Sequence, residues 1–436
     1  MHAFLDPWLS CLTFAAIIIA FLLCQVQRRE DTLAWILVGY FCICIVLIAI
    51  KWYLRLDLAV YDVEKYQSAG IQIAASLRAD FLGNLRYAIK PYAAYTLPLG
   101  LLYYVFGPSE LLGQLLNTVM ALGVIINLHR LACIWFNRRV ADHTALLFAV
   151  YPYGWILSTT LNRDMMIAFC ITLFFRALSG LRLREGLRSK WPWLTILGSL
   201  GYMTLLRAPL IILGGLALFI YVMARPDVVR RNGRLYRTVR FTFIVMVMLL
   251  GSTSFFVFGK YYTAQSPLEN EATQFCEVGN MNQRLRISED AGSAYLQGVN
   301  YSSYQDVIKA MPLATFYFVF SPLPWQVTSP KQALGVLDST WMMLICWYFL
   351  KGIKPLYRSN RKLALALLTF LLVGLTTSSV LQANAGSAMR HRTMFSFLMF
   401  PIAVHGLSRR RQLSRSALKR RFPASEINRW PAGGCG

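Results

Sequence analysis

The chain has 436 residues, of which 56% are hydrophobic, with a formal net charge of +24 and a mean hydropathy of +0.47. That hydropathy excludes an ordinary soluble domain and points to a helical membrane protein. The basic excess fits either nucleic acid or a membrane topology signal, and its placement along the chain separates the two.

Taken in chain order, apolar stretches lie near 8–26, 33–51, 109–128, 140–157, 165–181, 191–206, 208–224, 241–259, 334–350, 363–381 and 393–407. Each of these eleven stretches is read as a transmembrane helix. The fold class expected is therefore all-α, a polytopic membrane bundle. Its parts would be two N-terminal helices (1–51), a first outer loop (52–108) and a central bundle (109–259). A second outer loop (260–333), C-terminal helices (334–408) and a basic tail (409–436) follow. Residues 1–7 carry no positive segment ahead of the first apolar run, which is expected to be a retained span rather than a cleaved leader.

Alternation of the spans divides the charge sharply. One face holds 28 Lys/Arg against six Asp/Glu, in clusters such as Arg138/Arg139, Arg230/Arg231 and Arg409–Arg411. The other face holds 15 basic and 14 acidic residues. By the positive-inside rule the first face is cytoplasmic, the N-terminus extracytoplasmic and the C-terminus cytoplasmic. The expected location is a bacterial inner membrane. The charge is accounted for by topology and contact with membrane lipids, and nucleic acid is discarded as a partner.

Nine cysteines sit mostly in or near the spans, with no metal-type spacing and no disulfide framework on the outer side. Only His2 and His391 of the five histidines face outward, which argues against a His-rich zinc site or a Ser-His-Asp triad there.

The two outer loops are too long for simple connectors. In the first, "DVEKYQSAGIQIAASLRADF" places Tyr66, Ile71, Ile73, Ala74 and Leu77 near one face of a helix lying on the membrane surface. "YTLPLGLLYYVFG", with Pro98, reads as an interfacial or re-entrant piece. In the second loop, "MPLATFYFVFSPLPWQV" is short, aromatic and interrupted by Pro322 and Pro324.

Charged residues gather on the outer side of this topology. The first loop supplies Asp57, Asp62, Glu64 and Lys65; "STTLNRDMMIAF" (158–169) supplies Arg163 and Asp164; "LLRAPL" supplies Arg207; "QANAGSAMRHRTMF" supplies Arg390, His391 and Arg392. Carboxylates and guanidinium groups would rim one cavity at the outer leaflet. A guanidinium binds phosphate through a planar two-pronged hydrogen bond, and a carboxylate beside an acceptor hydroxyl takes its proton. Sugar transfer from a polyprenyl phosphate needs both. Simpler readings stand beside this one. Asp164 fits a helix cap, Arg207 a snorkelling interfacial arginine, and Arg390 and Arg392 flanking charges.

The order of motifs also resembles a known group. "YDVEKYQSAG" is similar to the first-loop D-x-x-x-Y-x-x-A pattern of GT-C-fold glycosyltransferases, the superfamily of protein O-mannosyltransferase-like and aminoarabinose-transferase-like proteins. "PLGLLYYVFGPSELLGQLLN", "ADHTALLFAVYP" and "LNRDMMIAF" follow in the same order. "FSPLPWQ" and "NAGSAMRHRTMFSFLMFPIAVHG" resemble polysaccharide-pathway members. The resemblance covers residues 55–180, and 295–408 more loosely. It implies a membrane enzyme using a polyprenyl-phosphate-linked sugar donor, with a lipid, glycan or protein acceptor on the extracytoplasmic side. Asp62 and Asp164 match the catalytic acidic positions. Arg390, Arg392 and Arg207 would hold the donor phosphate, with Arg163, Tyr66, Glu64 and Lys65 in support. No cofactor is required by the resemblance, and a divalent cation is left open. A polysaccharide polymerase, a lipid-linked sugar flippase and a non-enzymatic assembly subunit are the rival readings.

Overall fold

The computed structural model describes residues 11, 13–19, 31–54, 63–81, 93–181, 190–224, 278–289, 294, 295, 298–327 and 330–408. Among them every regular element is helical, and the one extended pairing is an isolated antiparallel bridge between Ala294 and Asn384. Helix follows from long runs of Leu, Ala, Met and Phe, whose backbone groups are satisfied within each segment as hydrocarbon requires.

In chain order the helices are α1 (Asp31–Tyr53), α2 (Val63–Ala79), α3 (Ala93–Phe106), α4 (Glu110–Trp135), α5 (Arg138–Ala149), α6 (Pro152–Ser158) and α7 (Asp164–Gly180). Then come α8 (Lys190–Leu206), α9 (Leu210–Met223), α10 (Val278–Glu289), α11 (Tyr304–Phe320), α12 (Pro330–Ser359), α13 (Arg361–Ser379) and α14 (Ala385–Ser396). A 3-10 turn at Phe397–Met399 leads from α14 into α15 (400–408).

By length and composition, three described helices can cross a membrane: Thr32–Tyr53, Glu110–Trp135 and Arg361–Ser379. The count of eleven spans is not established. The stretch 241–259 lies outside the described residues, as does much of 8–26. The stretch expected as one span at 140–157 is two helices, because Pro152 starts α6 and has no N–H with which to continue α5. The last stretch is already helical from Ala385, since Asn384 caps it by accepting from the Gly386 and Ser387 amides.

Helix ends expected on one side meet at one end of the bundle. At the end expected to be outer, Lys51 Nζ donates to the Thr159 carbonyl (2.7 Å), and Tyr202 Oη donates to the Ala94 carbonyl (2.5 Å). At the other end Trp135 Nε1 donates to Ser179 Oγ (2.9 Å), and Phe136 stacks on His405 at 4.1 Å. α4 is the central helix, with 72% of its most apolar window buried against 39% for α1. Since lipid tails are as apolar as leucine, helices here associate through close packing and interhelical hydrogen bonds rather than by leaving water.

α2 and α3 pack on each other, with Tyr66, Gly70, Ala74 and Leu77 of α2 buried. Ile71, expected on that face, is exposed instead, because it lies a quarter-turn beyond Gly70.

Candidate active site

The sequence "LNRD" sits at the start of α7, and its conformation comes from two asparagines. Asn162 Oδ1 accepts from the Asp164 amide (3.0 Å), while its Nδ2 donates to the Leu157 and Thr160 carbonyls. Asn117 of α4 donates through Nδ2 to the carbonyls of Thr160 (2.5 Å) and Asn162 (2.9 Å). Lys51 adds a third tie, to Thr160 Oγ1 at 3.2 Å. Residues 159–164 are buried except for Arg163, which is half-buried.

Held this way, Asp164 is 1% exposed and its carboxylate does not cap its own helix. Oδ2 accepts from Arg390 Nε of α14 at 2.6 Å. Arg163, the residue preceding α7, donates through Nη1 to the Leu206 carbonyl at 2.9 Å. Leu206 ends α8, and the next residue, Arg207, places Nη2 2.7 Å from His391 Nε2. The segments 160–164, 206–209 and 384–391 thus meet through Asp164, Arg390, Arg163, Arg207 and His391.

Helical geometry explains how three successive residues of α14 reach three partners. Side chains are about 100° apart per residue, so Arg390, His391 and Arg392 point to different neighbours. Arg390 turns to α7 and His391 to the α8–α9 connection. Arg392 turns into the bundle and is fully buried. It pairs through Nη2 with Asp338 of α12, and through Nη1 with the carbonyls of Phe318 (3.3 Å), Val319 (2.7 Å) and Ser321 (2.6 Å). Tyr151 Oη donates to the other Asp338 oxygen. Only Nε of Arg392 has no partner among the described residues. The side chain expected to meet a donor phosphate is instead spent on joining the C-terminal end of α11 to α12.

Tyr66 reaches the cluster indirectly. Its ring packs edge-on against Tyr95 at 4.8 Å, and Tyr95 Oη donates to Asn117 Oδ1 at 3.2 Å. Burial pushes the Tyr95 phenol well above the usual tyrosine range, and the nearby Tyr66, Tyr103 and Asp164 act in the same direction. It stays a donor. Glu64 and Lys65 are exposed, because they leave α2 on the side away from Tyr66, so neither joins the cluster. Asp57 and Asp62 lie outside the described residues.

Sequence reasoning missed Asp338, Asn117 and Lys51. Each had a visible signal, a charged or amide side chain inside or at the end of an apolar run. Among the described residues no three His, Cys, Asp or Glu side chains gather as a metal site requires.

No protein-family model matches the chain, and no curated protein matches it. Among solved structures, the chain is similar to the crystal structure of ArnT from Cupriavidus metallidurans bound to undecaprenyl phosphate. The two share 18% identity over 87% of this chain and 79% of that chain, with a TM-score of 0.36. Likeness at that distance carries no ligand, reaction or residue role over to this chain.

Proposed function

We propose that this chain is a GT-C-like membrane glycosyltransferase. It would move a sugar from a polyprenyl-phosphate-linked donor to a lipid, glycan or protein acceptor at the extracytoplasmic face of a bacterial inner membrane. The observation that carries the reading is the meeting of Asp164, Arg390, Arg163 and Arg207 at one end of the bundle, the end that the charge bias assigns to the outside. Guanidinium groups gathered at a bilayer boundary suit the planar two-pronged binding of a phosphate.

In the transfer, the bond between the sugar C1 and the phosphate oxygen breaks, and a bond from the acceptor oxygen to C1 forms. Arg390 and Arg207 would bind the departing polyprenyl phosphate and stabilise its charge. Asp164 positions Arg390 through Nε, so its carboxylate is assigned to orientation rather than to proton removal. The acceptor proton goes to Asp62, as base or acceptor-orienting group. Arg163 and Tyr66 hold the surrounding connections, and Arg392 positions α14. No step is routed through a metal.

The test is transfer from a radiolabelled polyprenyl-phosphate sugar by purified wild type, Asp62→Asn and Arg390→Ala. Loss of about 10²-fold or more in kcat with each is expected for groups acting in the transition state. Full activity in a well-folded Asp62→Asn removes that residue from the mechanism.

A further inference from the structure

At the end of the bundle opposite Asp164 and Arg390, a groove of about 670 Å³ runs between α1 and α5. Thr32, Trp35, Gly39 and Ile43 line it from α1, at the spacing of one helical face, and His143 and Leu146 from α5. It is open to the side, with Trp35 65% and Leu146 49% exposed. Gly39 supplies its depth, since a Cβ there would meet nothing within 4 Å.

Two features define what fits. The first is length. From Thr32 to Ile43 the helix rises about 16 Å, close to half of the roughly 30 Å hydrocarbon core. That is the depth of one leaflet. The second is charge. The polar lining, Thr32, Asp142 and His143, lies near the starts of α1 and α5, where Arg138 and Arg139 begin α5. Arg139 and His143 are one turn apart on the same stripe, tied by the contact of His143 Nδ1 with the Arg139 carbonyl at 2.7 Å. The single carboxylate in the lining is already engaged, Asp142 Oδ1 lying 3.3 Å from Arg138 Nε and 3.0 Å from His129 Nε2.

We propose that this groove binds an anionic phospholipid of the leaflet on the basic face. One acyl chain lies along Trp35, Gly39 and Ile43, and the phosphate sits against Arg139 and His143. The site needs the membrane-embedded bundle but no catalytic role, so it stands or falls apart from the glycosyl-transfer reading.

The experiment reconstitutes the full chain in phosphatidylcholine vesicles containing rising fractions of brominated phosphatidylglycerol or brominated phosphatidylcholine. Bromine quenches tryptophan at contact, and the difference between wild type and Trp35→Phe isolates the groove. Half-maximal quenching of Trp35 is expected at a roughly fivefold lower fraction of the anionic lipid. Arg139→Ala with His143→Ala removes that preference while leaving contact with bulk lipid. Gly39→Leu, whose new side chain enters the open space, lowers Trp35 quenching by both lipids. Equal curves for the two lipids in wild type overturn the proposal, as does a preference that persists in the Arg139→Ala/His143→Ala protein. Displacement of quenching by a polyprenyl phosphate but not by unbrominated phosphatidylglycerol also overturns it, assigning the groove to a prenyl tail. Arg139 is exposed, so the double variant remains readable if Gly39→Leu fails to fold.

Discussion

Arg390 Nε donates to Asp164 Oδ2 over 2.6 Å, joining two residues 226 positions apart in the chain. Asp164 is 1% and Arg390 17% exposed in their side chains, so the pair is shielded from water and screened little by salt. It fastens the middle of α14 to the start of α7.

Removing one member leaves the other charged and shielded. Asp164→Ala is expected to destabilise the protein by about 3–5 kcal/mol, and Arg390→Met by a similar amount. The double variant should cost clearly less than the two together. A double-mutant cycle on thermal unfolding in detergent measures the coupling. Coupling near zero would mean that the pair does not hold the two helices together.

Arg392 and Asp338 form a second pair, wholly enclosed at 0% and 2% side-chain exposure. Arg392→Met alone strands the Asp338 carboxylate and should cost about 3–5 kcal/mol. Combined with Asp338→Leu, which replaces both charges by apolar volume, stability should recover to within about 1–2 kcal/mol of wild type. The check is the unfolding midpoint together with transfer activity. Because Arg392 is assigned to positioning, the recovered double variant should keep most of its kcat.

α12 and α15 touch backbone to backbone through glycine. A Cβ on Gly352 would overlap the Ile402 carbonyl, and one on Gly406 the Tyr348 carbonyl, neither of which can rotate aside. Gly352→Ala and Gly406→Ala should each lower the unfolding temperature, although alanine favours helix by about 1 kcal/mol at an unconstrained position. Gly201→Ala, where a Cβ meets nothing within 4 Å, is the matched control and should be neutral or stabilising.

Asp306 provides a pH signature at the start of α11. The Ser303 hydroxyl leads in holding its carboxyl below the usual carboxylate range; desolvation opposes it, and the Ser302 and Ser303 amides and the Lys309 charge add to the lowering. Its pKa is therefore lower folded than unfolded. The cap stabilises the protein fully above the unfolded value near 4, and that contribution disappears as pH falls through the depressed folded value. The unfolding midpoint of wild type should fall as the pH is lowered past about 4. Asp306→Asn should start lower and change less over the same change in pH, as followed by circular dichroism at 222 nm.

The all-helical architecture and the grouping of helix ends at one end of the bundle were legible in the sequence. The apolar period and the charge bias each act within one segment, so no partner is needed to see them. The charge pattern of the short connections already grouped Arg163, Asp164, Arg207 and Arg390, and the structure brings them to one end of the bundle. Pro152 gave notice of a helix start that the hydropathy of 140–157 obscured, since apolarity does not register a missing N–H.

What each charge does within that gathering was decided only by tertiary structure. Arg390 and Arg392 stand two residues apart with the same chemistry, and nothing local distinguishes them. Roughly 200° of helical rotation sends one to Asp164 at the start of α7 and the other into the bundle against Asp338. The same holds for Tyr66 against Glu64 and Lys65, where the packing of α2 on α3 selects the buried face. Sequence determined which residues could lie on one side of a membrane. The rotation of each helix about its axis, set by packing against neighbours distant in the chain, determined which of them meet.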